Sequence, residues 1–273
     1  MFNKRQLRET FKVIMEYSNT KAAGTETKTK RLRDNKFLLN AYQVYKYIFF
    51  FPMLGLSTLL LTIFGSLITV LFGERKAQIC GKVWSRVNSY LTPMFVTVTG
   101  KEHIDKKQSY VIAANHKSQY DIFAIYGWLP ADFRWVMKME LRKVPLLGYV
   151  AEKGGHICID RSDPQKAAAT LNAAKSKIKD GTSVFFFPEG TRGPADKLLP
   201  FKKGAFRMAI DMQLPVLPVT IIGTDNLLPT NSITLFPGKA KIIVHKPIDV
   251  AGLTTETLLE KTKAVIESGF TEV

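Results

Sequence analysis

The longest apolar segment of the chain covers residues 47–72, where 26 consecutive positions carry no formal charge. A helix needs about 20 such residues to cross a bilayer, so this length predicts a membrane-seeking helix, with a buried core helix as the alternative. Basic residues flank both ends, and Pro52, Gly55 and Gly65 offer bends inside the segment. Because both flanks favour the cytoplasmic side, we expect a re-entrant, monotopic anchor rather than a single span.

A second pattern follows this segment. Ile79, Val83, Val87 and Leu91 recur at four-residue spacing, which predicts an apolar stripe on an amphipathic helix. The stripe suits either packing on the following domain or lying along a membrane. The pattern of hydrophobic and polar positions changes after residue 93. We therefore divide the chain into a basic N-terminal arm (1–46), a helical membrane anchor (47–93) and a C-terminal domain (94–273) that holds the candidate chemistry.

The C-terminal domain alternates short apolar runs with helical patterns, which is typical of an α/β fold. We expect a mostly parallel central sheet flanked by helices, with the two hydrophobic strands around Phe185 and Val219 in its middle, buried on both faces. The predicted strands are 95–99, 110–114, 133–138, 156–160, 183–187, 216–222 and 241–245. The predicted helices are 122–128, 140–150, 164–179, 204–212 and 255–268, the third beginning with Pro164 after Asp163.

Charge narrows the class of partner. The chain has 39 basic and 23 acidic residues and a formal net charge of +16, which suits either nucleic acid or an anionic membrane surface. The long apolar segment favours the membrane, and no zinc-finger or RNP-type pattern supports nucleic acid. The arm carries eleven basic and four acidic residues and could lie on anionic headgroups, although residues 21–30 resemble a solvated, partly disordered tail.

Cysteine and histidine usage exclude two kinds of site. Cys80 and Cys158 are too few for a disulfide framework, and with the four histidines they match no metal-binding spacing. A reducing, cytosol-facing location follows as the expectation for the C-terminal domain, and no metal is expected.

The candidate chemistry begins with residues 115–121, which read NHKSQYD. A strand that ends near Ala114 and a helix that starts near Ser118 would bring the Asp121 carboxylate against one nitrogen of His116. The other nitrogen could then accept a proton, so the pair predicts a general base for a hydroxyl nucleophile. A capped helix start without catalytic meaning is the alternative. Lys117 adds a cation that would either lower the pKa of His116 or contact a phosphate.

A glycine turn with an arginine follows at residues 187–192, which read FPEGTR. Gly190 lets backbone amides approach a phosphate, and Arg192 can hold two phosphate oxygens. The alternative is a strand-ending turn with a surface charge. Lys138, Lys202 and Lys203 are further cations that could face a phosphate or the acyl donor, and solvated lysines are equally consistent with their pattern.

Four blocks in a fixed order carry a resemblance to a known family. They are NHKSQYD at 115–121, GGHICIDR at 154–161, FPEGTR at 187–192 and LPVLPVTI at 214–221. With them, roughly residues 97–245 resemble the glycerolipid acyltransferases, and most closely those that acylate 1-acyl-glycerol-3-phosphate (lysophosphatidate). The resemblance implies His116 as the base and Asp121 as its orienting acid. It also implies a glycerol-phosphate site formed by Arg161, Glu189, Gly190, Thr191 and Arg192.

The implied reaction transfers a fatty acyl group from acyl-CoA or acyl-carrier protein to the sn-2 hydroxyl of lysophosphatidate and yields phosphatidate. It requires no cofactor beyond the acyl donor. A related acyltransferase that acts on glycerol-3-phosphate or another lyso-lipid is an alternative, because few side chains decide the head group. A membrane lipid-binding protein without activity would explain the anchor and the charge, but it would not need His116 and Asp121 at their spacing. Arg161 could also only pair with Asp160 or Asp163.

Overall fold

The computed structural model describes residues 35–144 and 147–271. A seven-stranded sheet organises them, with the strand order β1-β7-β6-β2-β5-β3-β4. Every neighbouring pair is parallel except β6 and β7, so β1 and β7 run opposite to the other five strands. The predicted α/β class with a mostly parallel sheet is confirmed. The strands are β1 Met94–Thr99, β2 Val111–Ala114, β3 Asp132–Lys138, β4 Ile157–Ile159, β5 Thr182–Phe186, β6 Val216–Ile222 and β7 Gly238–Val244.

Helices cover both faces of the sheet, and several short helical segments join them. Two 3-10 segments, Lys101–His103 and Met139–Lys143, follow strands, and a π-helical segment, Lys46–Phe50, joins the first two helices. The α-helices are α1 Lys36–Tyr45, α2 Phe51–Phe72, α3 Glu74–Leu91, α4 Tyr120–Trp128, α5 Leu147–Lys153, α6 Pro164–Ala174, α7 Gly204–Met212, α8 Thr224–Leu227 and α9 Thr255–Ser268.

The core lies on both sides of the central strands. β2 is buried at all four positions, and the strands that contain Phe185 and Val219 flank it, as the sequence predicted. One apolar layer joins the sheet to α4, with Phe123 and Phe133 among its members. The other joins it to α6, α7 and α9, around Phe206. Burial on both faces explains why these strands are largely apolar and do not alternate between apolar and polar residues.

Two predicted helices differ from the structure. The single helix predicted over 140–150 is wrong, because the 3-10 segment Met139–Lys143 ends before α5 begins at Leu147. Val144, which precedes Pro145 in the sequence, is extended at φ −75° and ψ 122°, the conformation favoured before a proline. The helix predicted over 164–179 ends as α6 at Ala174 and continues only as a 3-10 turn, Lys175–Lys177.

The apolar segment is helical throughout, with residues 47–50 in the π-helical segment and the rest in α2. α2 continues through Gly55 and Gly65, and Pro52 lies in its first turn, where a missing N–H is tolerated. The predicted bends inside the segment are therefore wrong, and the chain reverses instead at Gly73, whose φ is 83°. The helical run Lys36–Phe72 is long and apolar enough to cross a membrane by length and composition.

α3 returns along α2 and turns its apolar stripe outward. Trp84 donates to the Thr58 hydroxyl of α2 and packs against Phe123 of α4, so α3 lies between the anchor helix and the C-terminal domain. Its buried positions are mostly small or polar, including Ser85 and Asn88. Ile79 is 57% exposed, and Val83 and Val87 are exposed with it. Of the two predicted placements of this stripe, packing against the domain is excluded for these three residues.

Helix α1 attaches the start of the anchor to the domain. The Tyr42 hydroxyl donates to the carbonyl of Thr92, and the Gln43 amide donates 2.9 Å to the carbonyl of Leu235. The final part of the range assigned to the basic arm is therefore a helix packed on the domain. The tail predicted at residues 21–30 lies outside the described residues.

Candidate active site

The turn between β2 and α4 brings His116 and Asp121 together. His116 follows the end of β2 at Ala114, and Asp121 lies in the first turn of α4, where the helix dipole favours an acid. The Nδ1 atom of His116 lies 2.8 Å from Oδ2 of Asp121. This geometry assigns the ring proton to Nδ1, which leaves Nε2 as a proton acceptor.

Asp121 is fully buried, and both of its carboxylate oxygens accept hydrogen bonds. Its Oδ2 also accepts from the backbone N–H groups of Lys117, at 2.7 Å, and Ser118, at 2.9 Å. The hydroxyl of Thr224 donates to Oδ1. These contacts fix the carboxylate and with it the direction of the imidazole.

Phe187 supports the other side of His116. The two rings are stacked, with centroids 3.9 Å apart and planes 10° from parallel. The His116 side chain is 15% exposed, and Nε2 has no hydrogen-bond partner within the part of the chain that the structure describes. A hydroxyl that approaches from outside can therefore reach Nε2 without displacing a protein group.

Glu189 of the FPEGTR motif binds two backbone N–H groups, one in the NHKSQYD turn and one in the segment that follows its own motif. Its Oε1 accepts 2.7 Å from the N–H of His116, and its Oε2 accepts 2.8 Å from the N–H of Leu199. The residue is buried, and burial raises the pKa of Glu189 although both backbone contacts oppose the rise. The expected phosphate-site residue is thus occupied in fixing the loops around His116.

A cleft of about 490 Å³ lies next to Phe187, the residue that stacks on His116, although neither His116 nor Asp121 lines it. Phe187 lies in its wall beside Gly190, whose φ of 74° is the left-handed conformation that glycine adopts readily. Arg161 donates through Nη1 to the Gly190 carbonyl, and the stem of Lys202 lies against the open side of Gly190. The cleft therefore has an apolar base and cations near the FPEGTR turn.

The remaining residues that were expected at the site differ in their exposure to solvent. Thr191 is exposed and Arg192 is half-buried, without a hydrogen bond or ion pair to any described residue. Lys117 is buried, and its ammonium donates 2.6 Å to the Pro194 carbonyl and also to that of Lys197. Burial lowers the pKa of Lys117, and the nearby Glu189 opposes that shift.

Two expected cations take part in surface ion pairs instead. Lys138 lies 2.8 Å from Glu140, and Lys203 lies 2.6 Å from Glu256 of α9, with all four side chains largely exposed. The structure thus brings His116, Asp121, Lys117, Glu189, Gly190, Arg161 and Lys202 into one neighbourhood. Lys138 and Lys203 stand outside it.

Three residues that support the site were not singled out from the sequence. Asn115 donates 2.8 Å to the Ile221 carbonyl and accepts 2.7 Å from the Ile221 N–H, so it extends the pairing of β2 with β6 to the residue before His116. Thr224 and Phe187 are the others. Asn115 and Phe187 lie within the quoted motifs, whereas Thr224 is 103 positions from Asp121 and carries no sequence signal.

The described residues contain no group of three or more His, Cys, Asp or Glu side chains that could hold a metal ion. The arrangement offers instead an oriented imidazole beside a cleft with cations. These are the groups needed for proton removal from an alcohol that carries a phosphate.

Comparison with known proteins places these features in a family. The sequence model described as Acyltransferase matches residues 95–222. The chain is 34% identical to the chloroplastic 1-acyl-sn-glycerol-3-phosphate acyltransferase BAT2 of Brassica napus, over 61% of this chain and 48% of that protein. It is 32% identical to the 1-acyl-sn-glycerol-3-phosphate acyltransferase of Saccharomyces cerevisiae, over 74% and 68%.

A solved structure gives the same result. The 1-acyl-sn-glycerophosphate acyltransferase PlsC of Thermotoga maritima superimposes with a TM-score of 0.64 at 30% identity, over 80% of this chain and 97% of that one. The chain spans about half the length of the plant and algal relatives that it matches.

Proposed function

Since this chain belongs to the acyltransferase family, we propose that it acylates the sn-2 hydroxyl of 1-acyl-glycerol-3-phosphate and releases phosphatidate. The observation that carries the proposal is the 2.8 Å contact between His116 and Asp121, which Phe187 joins to a cleft whose wall includes Arg161, Gly190 and Lys202. The printed names of the relatives are in accord with it. The acyl donor is a thioester of coenzyme A or of acyl-carrier protein.

The proposed mechanism is direct attack. Nε2 of His116 removes the proton from the sn-2 hydroxyl while the oxygen attacks the thioester carbonyl. The tetrahedral intermediate collapses by breaking the carbon–sulfur bond, and the thiolate takes the proton from the imidazolium. Asp121 stabilises the imidazolium and holds its orientation, as an acid paired with a histidine base does elsewhere. No serine or cysteine nucleophile, metal or cofactor takes part in this scheme.

The acceptor phosphate is proposed to bind near the FPEGTR turn. Arg161 and Lys202 lie beside Gly190 in the cleft wall, and the half-buried Arg192 has a guanidinium free of ion pairs to the described residues. Arginine matches phosphate geometry through paired N–H groups. Glu189 and Thr191 complete the turn, and Glu189 ties it to the backbone at His116 and Leu199. Lys117, Lys138 and Lys203 are left as weaker candidates for donor contacts, because each is already engaged with carbonyls or a carboxylate.

The membrane arrangement proposed is monotopic, with the C-terminal domain facing the cytoplasm. α2 is 22 residues long, about 33 Å, and the charged helix α3 lies back along it. α3 also packs on α4, and α1 fixes the start of α2 to the domain. A span would carry α2 away from α3, to which Thr58 is bonded through Trp84. A helix pair at the surface of one leaflet keeps that contact and buries the exposed apolar faces of both helices.

An acyl-transfer assay with a panel of acceptors tests the proposal. The purified chain in neutral micelles is given labelled acyl-CoA or acyl-carrier protein with lysophosphatidate, glycerol-3-phosphate or lysophosphatidylcholine. We expect labelled phosphatidate from lysophosphatidate. Transfer only to another acceptor would assign a related acyltransferase, and no transfer with any pair would favour a lipid-binding protein.

The variant His116→Ala tests the assigned base in the same assay. Loss of a general base lowers the rate by roughly 10²–10⁴. His103→Ala is the control, since His103 follows β1 at the opposite edge of the sheet. Full activity of a folded His116→Ala variant would remove His116 from the mechanism.

A further inference from the structure

A second cleft lies at the edge of the sheet opposite His116. Its volume is about 470 Å³, and Tyr110, Asp132 and Gly181 bring the amino ends of β2, β3 and β5 to its base. α3 and the loop after β1 form its walls. The length of β2, about 13 Å, separates Tyr110 from the start of the turn that contains His116. A ligand in this cleft would therefore lie apart from the reacting atoms.

The side chains around this cleft carry an excess of positive charge. Five are cationic, namely Arg75, Lys82, Arg86, Lys101 and Lys106, against two acids, Asp105 and Asp132.

Both acids are already engaged. Asp132 pairs with Arg75 at 3.3 Å and Arg134 at 2.8 Å, and Asp105 accepts 2.8 Å from the backbone of Lys107. Among the described residues, no carboxylate lies within ion-pair distance of Lys82 or Lys106. The cleft therefore holds cations whose charge is not compensated by a paired acid.

These cations also face one another. Burial lowers the pKa of Lys82, Asp132 opposes the shift, and the nearby Arg86 and Lys106 lower it further. Arg86 is held in place because its Nε donates 2.8 Å to the Gly127 carbonyl and its guanidinium lies over Trp128. Like charges that converge on open space are stabilised when an anion binds between them.

The geometry of α3 gives the character of that anion. Residues 75, 82 and 86 are spaced by seven and four positions and so form one row along the helix. The row lies beside the exposed apolar stripe of Ile79, Val83 and Val87. A basic row next to an exposed apolar stripe is the pattern of a helix at a membrane surface.

We propose that this cleft binds the phosphate of an anionic phospholipid whose acyl chains lie along Ile79, Val83 and Val87. The site is distinct from the acceptor site of the proposed reaction. Its lipid would be a resident of the membrane and would hold the sheet edge with Lys82 and Lys106 against the headgroup layer. The adjoining exposed apolar residues of α2 and α3 favour a phospholipid over a soluble phosphate.

Calorimetric titration of the full chain in neutral detergent tests the site without using catalysis. The probe is dihexanoyl-phosphatidylglycerol, compared with dihexanoyl-phosphatidylcholine and with glycerophosphoglycerol, which is the same headgroup without acyl chains. Lys82→Ala/Lys106→Ala removes two cations of the cleft. Lys261→Ala/Lys263→Ala removes the same charge from α9, on the opposite face of the sheet.

We expect the cleft variant to bind phosphatidylglycerol roughly tenfold or more weakly, since each cation near a headgroup contributes about 1 kcal/mol, while the α9 variant changes less than twofold. Phosphatidylcholine and the chain-free headgroup should bind more weakly than phosphatidylglycerol. Equal losses in both variants, or no loss in the cleft variant, would overturn the proposal. Equally tight binding of glycerophosphoglycerol would assign a soluble-anion site instead. Because the measurement is of binding, failure of the acyl-transfer proposal would leave its outcome unaffected.

Discussion

Asp121 receives four hydrogen bonds, and their sources explain how a short turn can hold the His116 imidazole in one orientation. Two come from backbone N–H groups of the same turn and one from the Thr224 hydroxyl on a different segment. Only the fourth comes from His116. The carboxylate therefore keeps its position when the imidazole moves or changes charge. A positioning acid of this kind fixes the tautomer of the base without exchanging protons itself.

Arg192 offers a test of the acceptor site at the scale of one residue. Arg192→Ala is expected to raise the KM for lysophosphatidate about tenfold or more, because a charge-assisted contact with phosphate contributes about 1.5–3 kcal/mol. The KM for the acyl donor should change less than twofold. Steady-state kinetics with each substrate varied in turn give both values. The exposed Arg142→Ala, which loses only a surface pair with Glu152, serves as the control. An unaltered lysophosphatidate KM would exclude Arg192 from the phosphate site.

Lys117 is expected to act on a loop rather than on substrate. Its buried ammonium donates to the carbonyls of Pro194 and Lys197. Lys117→Met should leave those carbonyls without their charged donor and weaken closure of the 194–197 loop by about 1–3 kcal/mol. We expect faster proteolysis within this loop, together with lower kcat/KM, and both are measured on the folded protein. Lys197→Met is the matched control, because it removes an exposed lysine but keeps the carbonyl. Unchanged loop proteolysis in Lys117→Met would count against the tether.

At the scale of elements, α3 of the anchor packs closely on α4 of the domain. A Cβ added to Gly81 would lie 2.3 Å from the ring of Tyr126, whereas one added to Gly55 of α2 would meet nothing within 4 Å. Gly81→Ala should therefore force the helices apart and destabilise the fold by about 1–3 kcal/mol. For a chain of this size that corresponds to a melting temperature lower by roughly 2–4 °C per kcal/mol. Gly55→Ala should leave it unchanged or slightly raised, because alanine is the better helix former. Equal melting temperatures for the two variants would contradict the close packing.

Periodicity predicted most elements of the domain because each of them has a clear local signal. The strands around Phe185 and Val219 are largely apolar and were placed correctly in the middle of the sheet. The helix over 140–150 was mispredicted because one apolar pattern continues across Pro145, where the backbone cannot remain helical easily. The reversal at Gly73 was not predicted. A single glycine after an apolar run indicates that a helix ends, but it does not indicate the direction of the helix that follows.

The site was predictable only where its partners are neighbours in sequence. His116 and Asp121 are five positions apart, and a turn between strand and helix brings such residues together. The direction of β7 and the approach of Thr224 depend instead on contacts between distant segments. Periodicity also identified the stripe of Ile79 and Val83 but not its direction, because an apolar face turned to lipid and one turned to a core have the same spacing.

At the scale of the whole molecule, His156 is expected to limit stability in acid. Its Nδ1 accepts from the N–H of Trp135 and its Nε2 faces the Tyr126 hydroxyl, so both nitrogens are used by the neutral ring. Burial, and secondarily Arg134, lower the pKa of His156 to about 3 from its usual 6.5. The unfolded chain therefore binds this proton first. The stability contributed by the neutral ring is complete above pH 6.5 and is lost as the pH falls towards 3, by up to about 1.4 kcal/mol per pH unit.

The variant His156→Gln should flatten this dependence. Melting temperatures between pH 7 and pH 4 are expected to fall less steeply than those of the unaltered chain, even where the variant is less stable at pH 7. His103→Gln should keep the original slope, since His103 lies outside this buried group. If the melting temperature of His156→Gln fell with pH as steeply as that of the unaltered chain, other groups would control the loss of stability in acid.

Glu189 binds the backbone at His116 with one oxygen and at Leu199 with the other, although 83 positions separate these two partners in the sequence. This double contact limits how the loop of residues 188–199 can be exchanged between relatives. A loop from a relative that is grafted into 188–199 without an equivalent acid would leave the N–H of His116 unpaired, and it would disturb the position of His116 although only the loop was meant to change. Redesign of specificity in this scaffold should therefore treat the two motifs as one transferable unit.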